Sequence, residues 1–437
     1  MDEKTDSLEG RIVYDENEAV KAGSLPALVG HLTRHDRLDA AFNRTFFMLY
    51  TYFTTTAELL DLLIARFDQS PAQPLVRFRV INVLKQWLEN FWPDAAAAAA
   101  ADEAALLLKV QSFAQRAMAV IDTNATQQVL GLIQRRRAGF VVPRKISRPS
   151  ISATPPKPIL PRKLKLDKPQ FIKMDPLELA RQLTILEAHM FNKLQPDNFL
   201  HKNFQKKNEP NNQIRPLIRY SNQLSNWVGS LILAEPDLKK RAGVIGHLVN
   251  VATSLYELQN YSSVVSILSG LESAPIYRLV RTWAMVTERA CNSLRPLQAL
   301  ISSTQNYQTY RDKLQSTVPP CIPFLGVFLK DITFIEDGNP ALTPDNLINF
   351  QKYTLLAATL HDIQRLKETP YCLQPVPELQ DYLAGQLQCA VDLHDLWDRS
   401  CELERQGRGD ENRPRGVYTP TGGMTASMVV ACMILDD

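Results

Sequence analysis

Apolar residues recur at helical spacing along most of the chain. Leu25, Leu28, Val29 and Leu32 share one face of a first helix predicted from Gly23 onward, and the polar run HDRLD follows it. Residues 42–67 come next. In them Thr55 and Glu58 have capping-box spacing, and Leu59, Leu60, Leu63, Ile64 and Phe67 then give a helix buried on one side. Residues 75–92 are a further amphipathic helix that ends at Pro93. Asp175-Pro176-Leu177-Glu178 has the chemistry of a helix start, with a capping Asp, a first-turn Pro and an early Glu. Leu179, Leu183, Leu186, Met190 and Leu194 continue it as a buried stripe. Residues 218–233 and 241–279 read as more helices, with turns at their Gly, Asn and Pro breaks. The pattern predicts an all-α protein of helical bundles with short connections.

One stretch has two faces. From Phe324 to Asp337 the apolar residues Phe324, Phe328, Ile332 and Ile335 recur at helical spacing, while Lys330, Thr333 and Asp337 form a polar stripe at i, i+3, i+7. Gly338 is placed to stop this helix and Pro340 forbids its continuation. Thr343-Pro344 offers a cap and a first-turn proline for a second helix from about Asp345 to Lys367. The pair predicts a helical hairpin with one apolar side and one charged edge. Periodicity alone favours an ordinary surface hairpin.

Composition narrows the chemistry. A chain of 437 residues is long enough for two or three cores, and a net charge of +3 does not mark the whole chain as a nucleic-acid binder. Six cysteines lie far apart with no CxxC pair, which suits reduced cytosolic thiols better than disulfides or zinc. The opening MDEKTDSLEG is polar and acidic, unlike a signal peptide, and no apolar run approaches the roughly 18 residues of a membrane span. No nucleophile elbow, phosphate-binding loop, dinucleotide fingerprint or kinase signature is present. Glu336 and Asp337 are adjacent, so on a helix they diverge by about 100° and share no acid–base task.

Residues 1–20 are charged and predicted to be loose. The alanine-rich stretch 94–105 leads into a helix over LLLKVQSFAQRAMAVI. Residues 134–174 form a linker rich in Pro, Ser, Arg and Lys that cannot bury enough surface to fold alone. Its basic clusters make it either a solvated spacer or a place of weak attraction to an anionic membrane. Residues 406–437 have turn and disorder composition.

The string PPCIPFLGVFLKDITFIEDGNP closely resembles the signature segment of the catalytic domain of Ras-family guanine-nucleotide exchange factors. DPLELARQLTILEAHMFNKLQPDNFL resembles the opening of that domain, and ELQNYSSV, SAPIYRL and YCLQPVPELQDYL match further segments of it. TFFMLYTYFTTTAELLDLLIARF and VRFRVINVLKQWLENFW resemble its companion N-terminal exchanger-motif module. The end departs from the family's Ser-Leu-x-x-Glu-Pro-Arg, because Ser400-Cys401-Glu402-Leu403-Glu404-Arg405 lacks the proline. The resemblance implies an N-terminal helical module over 21–133 and a larger helical catalytic domain over 175–405 with a protruding helical hairpin.

It also implies a function. The partner would be a Ras-subfamily small GTPase, Ras-like or Rap-like, with no bond made or broken and no cofactor or metal of the chain's own. The hairpin would lever open the GTPase nucleotide site, with Asp337 placed toward the phosphate region, Thr333 near the vacated metal position and Phe324 in a hydrophobic pocket of the interface. Many relatives carry an apolar residue where Thr333 stands. Lys330 and Phe334 complete that edge. Arg219, Tyr277 and Tyr307 match family positions at the GTPase interface. Glu272 stands where relatives have Asn, and a carboxylate cannot donate the hydrogen bonds an amide can. Thr333, Glu272 and the irregular end keep a second reading open, a scaffold that binds GTPases without exchange activity.

Overall fold

The computed structural model describes residues 10–92, 100–121, 124–138, 154–161, 171–206 and 212–404. Helices dominate. The sheet among these residues is an antiparallel pair, β1 (Ile12–Tyr14) against β2 (Val20–Gly23). The loose segment expected over 1–20 is therefore structured from Ile12. Asp15 closes the turn by accepting from Asn17 N at 2.8 Å and Ala19 N at 2.9 Å. Strands of three and four residues are too short to show a period, which is why the pattern missed them.

The helices are α1 (Leu25–Leu32), α2 (Ala40–Leu49), α3 (Thr56–Asp68), α4 (Pro74–Asn90), α5 (Ala100–Val120) and α6 (Asn124–Arg137). After them come α7 (Pro176–Phe191), α8 (Ile214–Ala234), α9 (Leu238–Glu257), α10 (Tyr261–Glu272), α11 (Ala274–Tyr277) and α12 (Val280–Ala284). The last are α13 (Glu288–Leu300), α14 (Gln308–Ser316), α15 (Leu325–Gly338), α16 (Phe350–Leu366), α17 (Pro377–Gln388) and α18 (Trp397–Leu403). They fall into two compact units. One comprises Met1–Ser147 with Phe334–His361, the other Arg148–Thr333 with Asp362–Asp437.

The first unit is built on aromatic residues. Phe46, Phe47, Trp87 and Trp92 are buried, with Trp87 and Trp92 rings 4.9 Å apart. Thr55 caps α3 by accepting from Glu58 N at 3.1 Å. The Glu58 carboxylate takes the Thr54 hydroxyl at 2.8 Å, so the cap is in place and the reciprocal half of the box is redirected. The C-terminal part of the chain enters this unit through rings: Phe350 stacks on Phe42 at 4.5 Å, and Tyr353 lies 5.5 Å from Tyr52 and 5.1 Å from Phe53. Burying each such side chain contributes about 1.5–3 kcal/mol. The exposed Arg11–Asp345 pair contributes about 0–1 kcal/mol, so packing and not that ion pair fixes this segment.

The second helix of the hairpin starts later than its sequence predicts, at Phe350 and not near Asp345. Asn346 has a left-handed φ of 59°, Thr343 N donates to Leu347 O at 2.8 Å, and Ile348 pairs antiparallel with Gly23 (2.9 and 3.1 Å). Thr343 thus caps a tight turn and not a helix.

In the second unit α8 and α10 approach closely at Gly270. A Cβ there would lie 2.7 Å from Ser225 O and 2.7 Å from Val228 Cβ. The buried face of α7 includes Glu178, Gln182 and Glu187 beside Leu179 and Leu183. From the linker, residues 154–161 are described without helix or strand, and Ile159 N donates to Glu178 Oε2 at 3.0 Å. Arg135, Arg136 and Arg137, placed in the linker by composition, instead end α6, where Arg136 Nη2 donates to Leu88 O at 2.9 Å. The basic clusters in 139–153 and 162–170 and the tail 406–437 lie outside the described residues.

The chain end of this unit is locked by Glu404, which is buried beside Arg241. Its Oε1 accepts from Thr282 N at 2.9 Å and from Arg241 Nη2 at 3.3 Å, and its Oε2 accepts from Arg281 N at 3.0 Å.

Candidate functional site

Helix α15 carries the predicted two faces. Val327, Phe328, Leu329 and Ile332 are buried, whereas Lys330 and Thr333 are half-buried and Asp337 is exposed. The helix ends at Gly338, and Asn339 Nδ2 donates to Ile335 O at 3.0 Å, which satisfies a late carbonyl. Thr333 Oγ1 donates to Leu329 O at 2.8 Å. Its hydroxyl is thus turned back onto the helix, leaving the methyl as its outer group.

Adjacent carboxylates of α15 have opposite fates. Glu336 is an ion-pair partner of Lys352, Nζ to Oε2 3.1 Å, and its Oε1 accepts from the Tyr52 hydroxyl. Asp337, about 100° further round the helix, is exposed, as is Phe334. All of these residues belong to the first unit.

In the second unit the base of α15 is clamped. Arg311 makes a bidentate pair with Asp331, Nη1–Oδ2 2.7 Å and Nη2–Oδ1 2.8 Å. Arg365 donates to Thr317 O at 2.9 Å and Leu314 O at 3.0 Å, closing the C-terminal end of α14. Phe324 N donates to the buried Tyr310 hydroxyl at 2.7 Å. The Phe324 ring covers Gly326, where a Cβ would fall 2.4 Å from Phe324 Cζ.

The interface residues implied by the resemblance are placed differently from one another. Arg219 is exposed on α8, and Tyr277, half-buried, is the last residue of α11. Tyr307 is 5% exposed and backs Phe324 with ring centroids 6.3 Å apart. It closes a run of three left-handed residues, Gln305, Asn306 and Tyr307, that leads into α14. Glu272 is buried, accepts from Gln298 Nε2 at 2.6 Å, and has its carboxyl pushed up by loss of water. The structure thus brings Phe324 and Tyr307 together and gives Glu272 a partner inside the protein. Spacing gave no sign of the Arg311–Asp331 and Lys352–Glu336 pairs, since each joins residues well apart in the chain.

Among the described residues, no three His, Cys, Asp or Glu side chains gather as metal ligands, and no helix is long and apolar enough to cross a membrane.

Comparison with known proteins matches this architecture. The RasGEF domain family matches residues 178–354, and the RasGEF N-terminal motif matches residues 19–113. The chain is 32% identical over 420 residues to Cell division control protein 25 of Candida albicans, covering 91% of this chain and 31% of that protein. It is 29% identical over 405 residues to Ras guanine nucleotide exchange factor A of Dictyostelium discoideum, covering 90% of this chain and 65% of that protein. It is 27% identical over 466 residues to Cell division control protein 25 of Saccharomyces cerevisiae, covering 97% of this chain and 29% of that protein. The chain therefore spans less than two thirds of the length of each of these relatives. With both matched segments in sequence order on an all-α fold, the chain belongs to the RasGEF family, with a RasGEF N-terminal motif followed by a RasGEF catalytic domain.

Proposed function

We propose that the chain is a guanine-nucleotide exchange factor that speeds GDP release from a Ras-subfamily small GTPase. The observation that carries this reading is the polar edge of α15, with Asp337 exposed while its neighbour Glu336 is held inside by Lys352.

A small GTPase holds its nucleotide through Mg²⁺ and a phosphate-cradling loop with a lysine. An exchange factor binds the nucleotide-free form more tightly than the loaded form. Linkage then requires that factor and nucleotide weaken each other's binding by the same factor. In this reading the hairpin of α15 and α16 displaces the segment that closes over the nucleotide. Asp337 offers a carboxylate to the loop groups that had held phosphate. Thr333 faces the metal position with its methyl, a surface close to the apolar residue of many relatives. Phe324, backed by Tyr307 and Tyr310, is the apolar anchor, with Arg219, Tyr277, Lys330 and Phe334 completing the contact. No cofactor takes part.

The test is release of a fluorescent GDP analogue from purified Ras-like and Rap-like GTPases, with the wild type and with Asp337→Ala/Phe324→Ala. Faster release from one GTPase, lost in the variant, is the expected result and names the substrate. A second reading, a GTPase-binding scaffold, is favoured by Glu272, whose carboxylate is occupied by Gln298. It takes over if the wild type binds a nucleotide-free GTPase but accelerates no release.

A further inference from the structure

A groove of about 480 Å³ lies in the second unit, where α9 meets the start of α13, and none of the functional residues above lines it. Two exposed cations, Lys239 and Arg289, stand in its lining, and among the described residues no carboxylate lines it. The acids next to it in sequence are Asp237 and Glu288, and Asp237 is engaged as the cap of α9, accepting from Lys240 N at 2.9 Å. Thr287 caps α13 in the same way, so the positive end of a helix of 13 residues also opens here.

The floor is open because α9 carries two glycines in it. A Cβ at Gly243 would meet Ile172 Cδ1 at 3.6 Å, and one at Gly246 would meet Ala290 Cβ at 3.9 Å, so a larger side chain at either place would occupy the groove. His247 forms part of the floor. Its Nε2 is buried with no hydrogen-bond partner among the described residues, and burial lowers its pKa against the opposing pull of the Asp175 carboxylate.

The rim is apolar in an unusual way. Ile172 is 49% exposed and Met285 is 43% exposed, and both line the groove beside the cations. A free phosphate would use the cations and leave both apolar side chains in water. A phospholipid uses both, its phosphate against Lys239 and Arg289 and its acyl boundary against Ile172 and Met285.

We propose that this groove is a docking surface for an anionic phospholipid headgroup at a membrane surface, read by Lys239 and Arg289 with Ile172 and Met285 as the apolar contact. The surface shares no residue with the hairpin edge, and of the 134–174 linker it takes Ile172 but none of the basic clusters.

The test is co-sedimentation of the full chain with phosphatidylcholine vesicles, with and without phosphatidic acid. Each cation near an anionic surface contributes about a fivefold gain in partitioning, so Lys239→Ala/Arg289→Ala should lower association on the order of 25-fold. Gly243→Leu should lower it too, by filling the floor with no change of charge. Both variants should release GDP from lipid-free GTPase in solution at the wild-type rate, which separates this test from that of exchange activity. The proposal is overturned if both variants sediment like the wild type, which would leave the linker as the membrane contact. It is also overturned if inorganic phosphate binds the groove while vesicles do not, or if the variants alter exchange in solution. Matching thermal midpoints check folding, and Gly243→Leu decides alone if the double variant unfolds.

Discussion

Lys352 Nζ lies 3.1 Å from Glu336 Oε2 and also donates to the Glu336 backbone carbonyl at 3.2 Å, with the two side chains 7% and 10% exposed. This ammonium binds both the carboxylate and the last turn of α15. By holding Glu336 inward it fixes the rotation of the turn that carries Asp337 outward. Lys352→Met would leave a buried carboxylate with the Tyr52 hydroxyl as its remaining partner, and should destabilise the first unit by about 3–5 kcal/mol. Lys352→Met/Glu336→Leu should recover most of that loss. Urea unfolding followed by the fluorescence of the buried Trp87 and Trp92 measures both.

Gly326 is needed for the position of Phe324. Alanine there puts a methyl into the space of the Phe324 ring, 2.4 Å from Cζ, and the ring must swing away. Alanine also favours helix over glycine by up to about 1 kcal/mol. Gly326→Ala should therefore keep or raise the thermal midpoint. Displacing an anchor worth about 2 kcal/mol should weaken binding to nucleotide-free GTPase by more than about tenfold. Equal loss of stability and binding would show that the ring has no role at the interface.

Two buried carboxyls make stability depend on pH. Glu187 is fully buried, its Oε2 accepts from Ser263 Oγ at 2.6 Å, and loss of water raises its pKa above 4.5 against the opposing effect of the neighbouring Ser262, Ser263 and Asn260 side chains. Glu272 is raised from 4.5 for the same reason. A raised carboxyl holds its proton in the folded state after the unfolded chain has lost it. Its stabilising effect is complete below pH 4.5 and is lost as pH rises toward the folded pKa, with a limiting slope of about 1.4 kcal/mol per pH unit for each group. Glu187→Gln should match the wild type near pH 4 and exceed it at neutral pH. Chemical denaturation at a series of pH values reads the crossover, and parallel curves would refute it.

Among the described residues Glu404 is the carboxylate partner of Arg241, which is 1% exposed. Glu404→Ala should cost the second unit about 3–5 kcal/mol, the penalty for leaving a buried guanidinium unpaired. Calorimetry of the variant checks this. A thermal midpoint within a degree or two of wild type would mean that water replaces the carboxylate.

Much of this was legible in the sequence. Helix starts with strong caps came out where expected, Asp175 before α7 and Thr55 before α3, because a cap is a local device. The two faces of α15 were legible for the same reason, since periodicity reports burial directly. What stayed hidden was long-range. Glu187 and Gln182 lie on the buried face of α7 because Ser263, Asn260 and the backbone near Val376 are built to meet them. No spacing within α7 signals such partners. The late start of α16 had a similar cause: Thr343-Pro344 is a sound helix start, but the pairing of Ile348 with Gly23 requires extended chain there. The roles of Glu272 and Tyr307 depended on burial, which a motif match does not report.

The Glu404 lock has a consequence for how the protein is made. Its carboxylate meets Arg241 across 163 positions of sequence and the α12 amides across 122 and 123. A ribosome delivers α9 and α12 long before it delivers residue 404, so during synthesis the guanidinium waits without its counter-charge. The second unit should then mature late and all at once, upon release of its last helical turn. A nascent chain halted a few codons short of that point would be a natural client for chaperones.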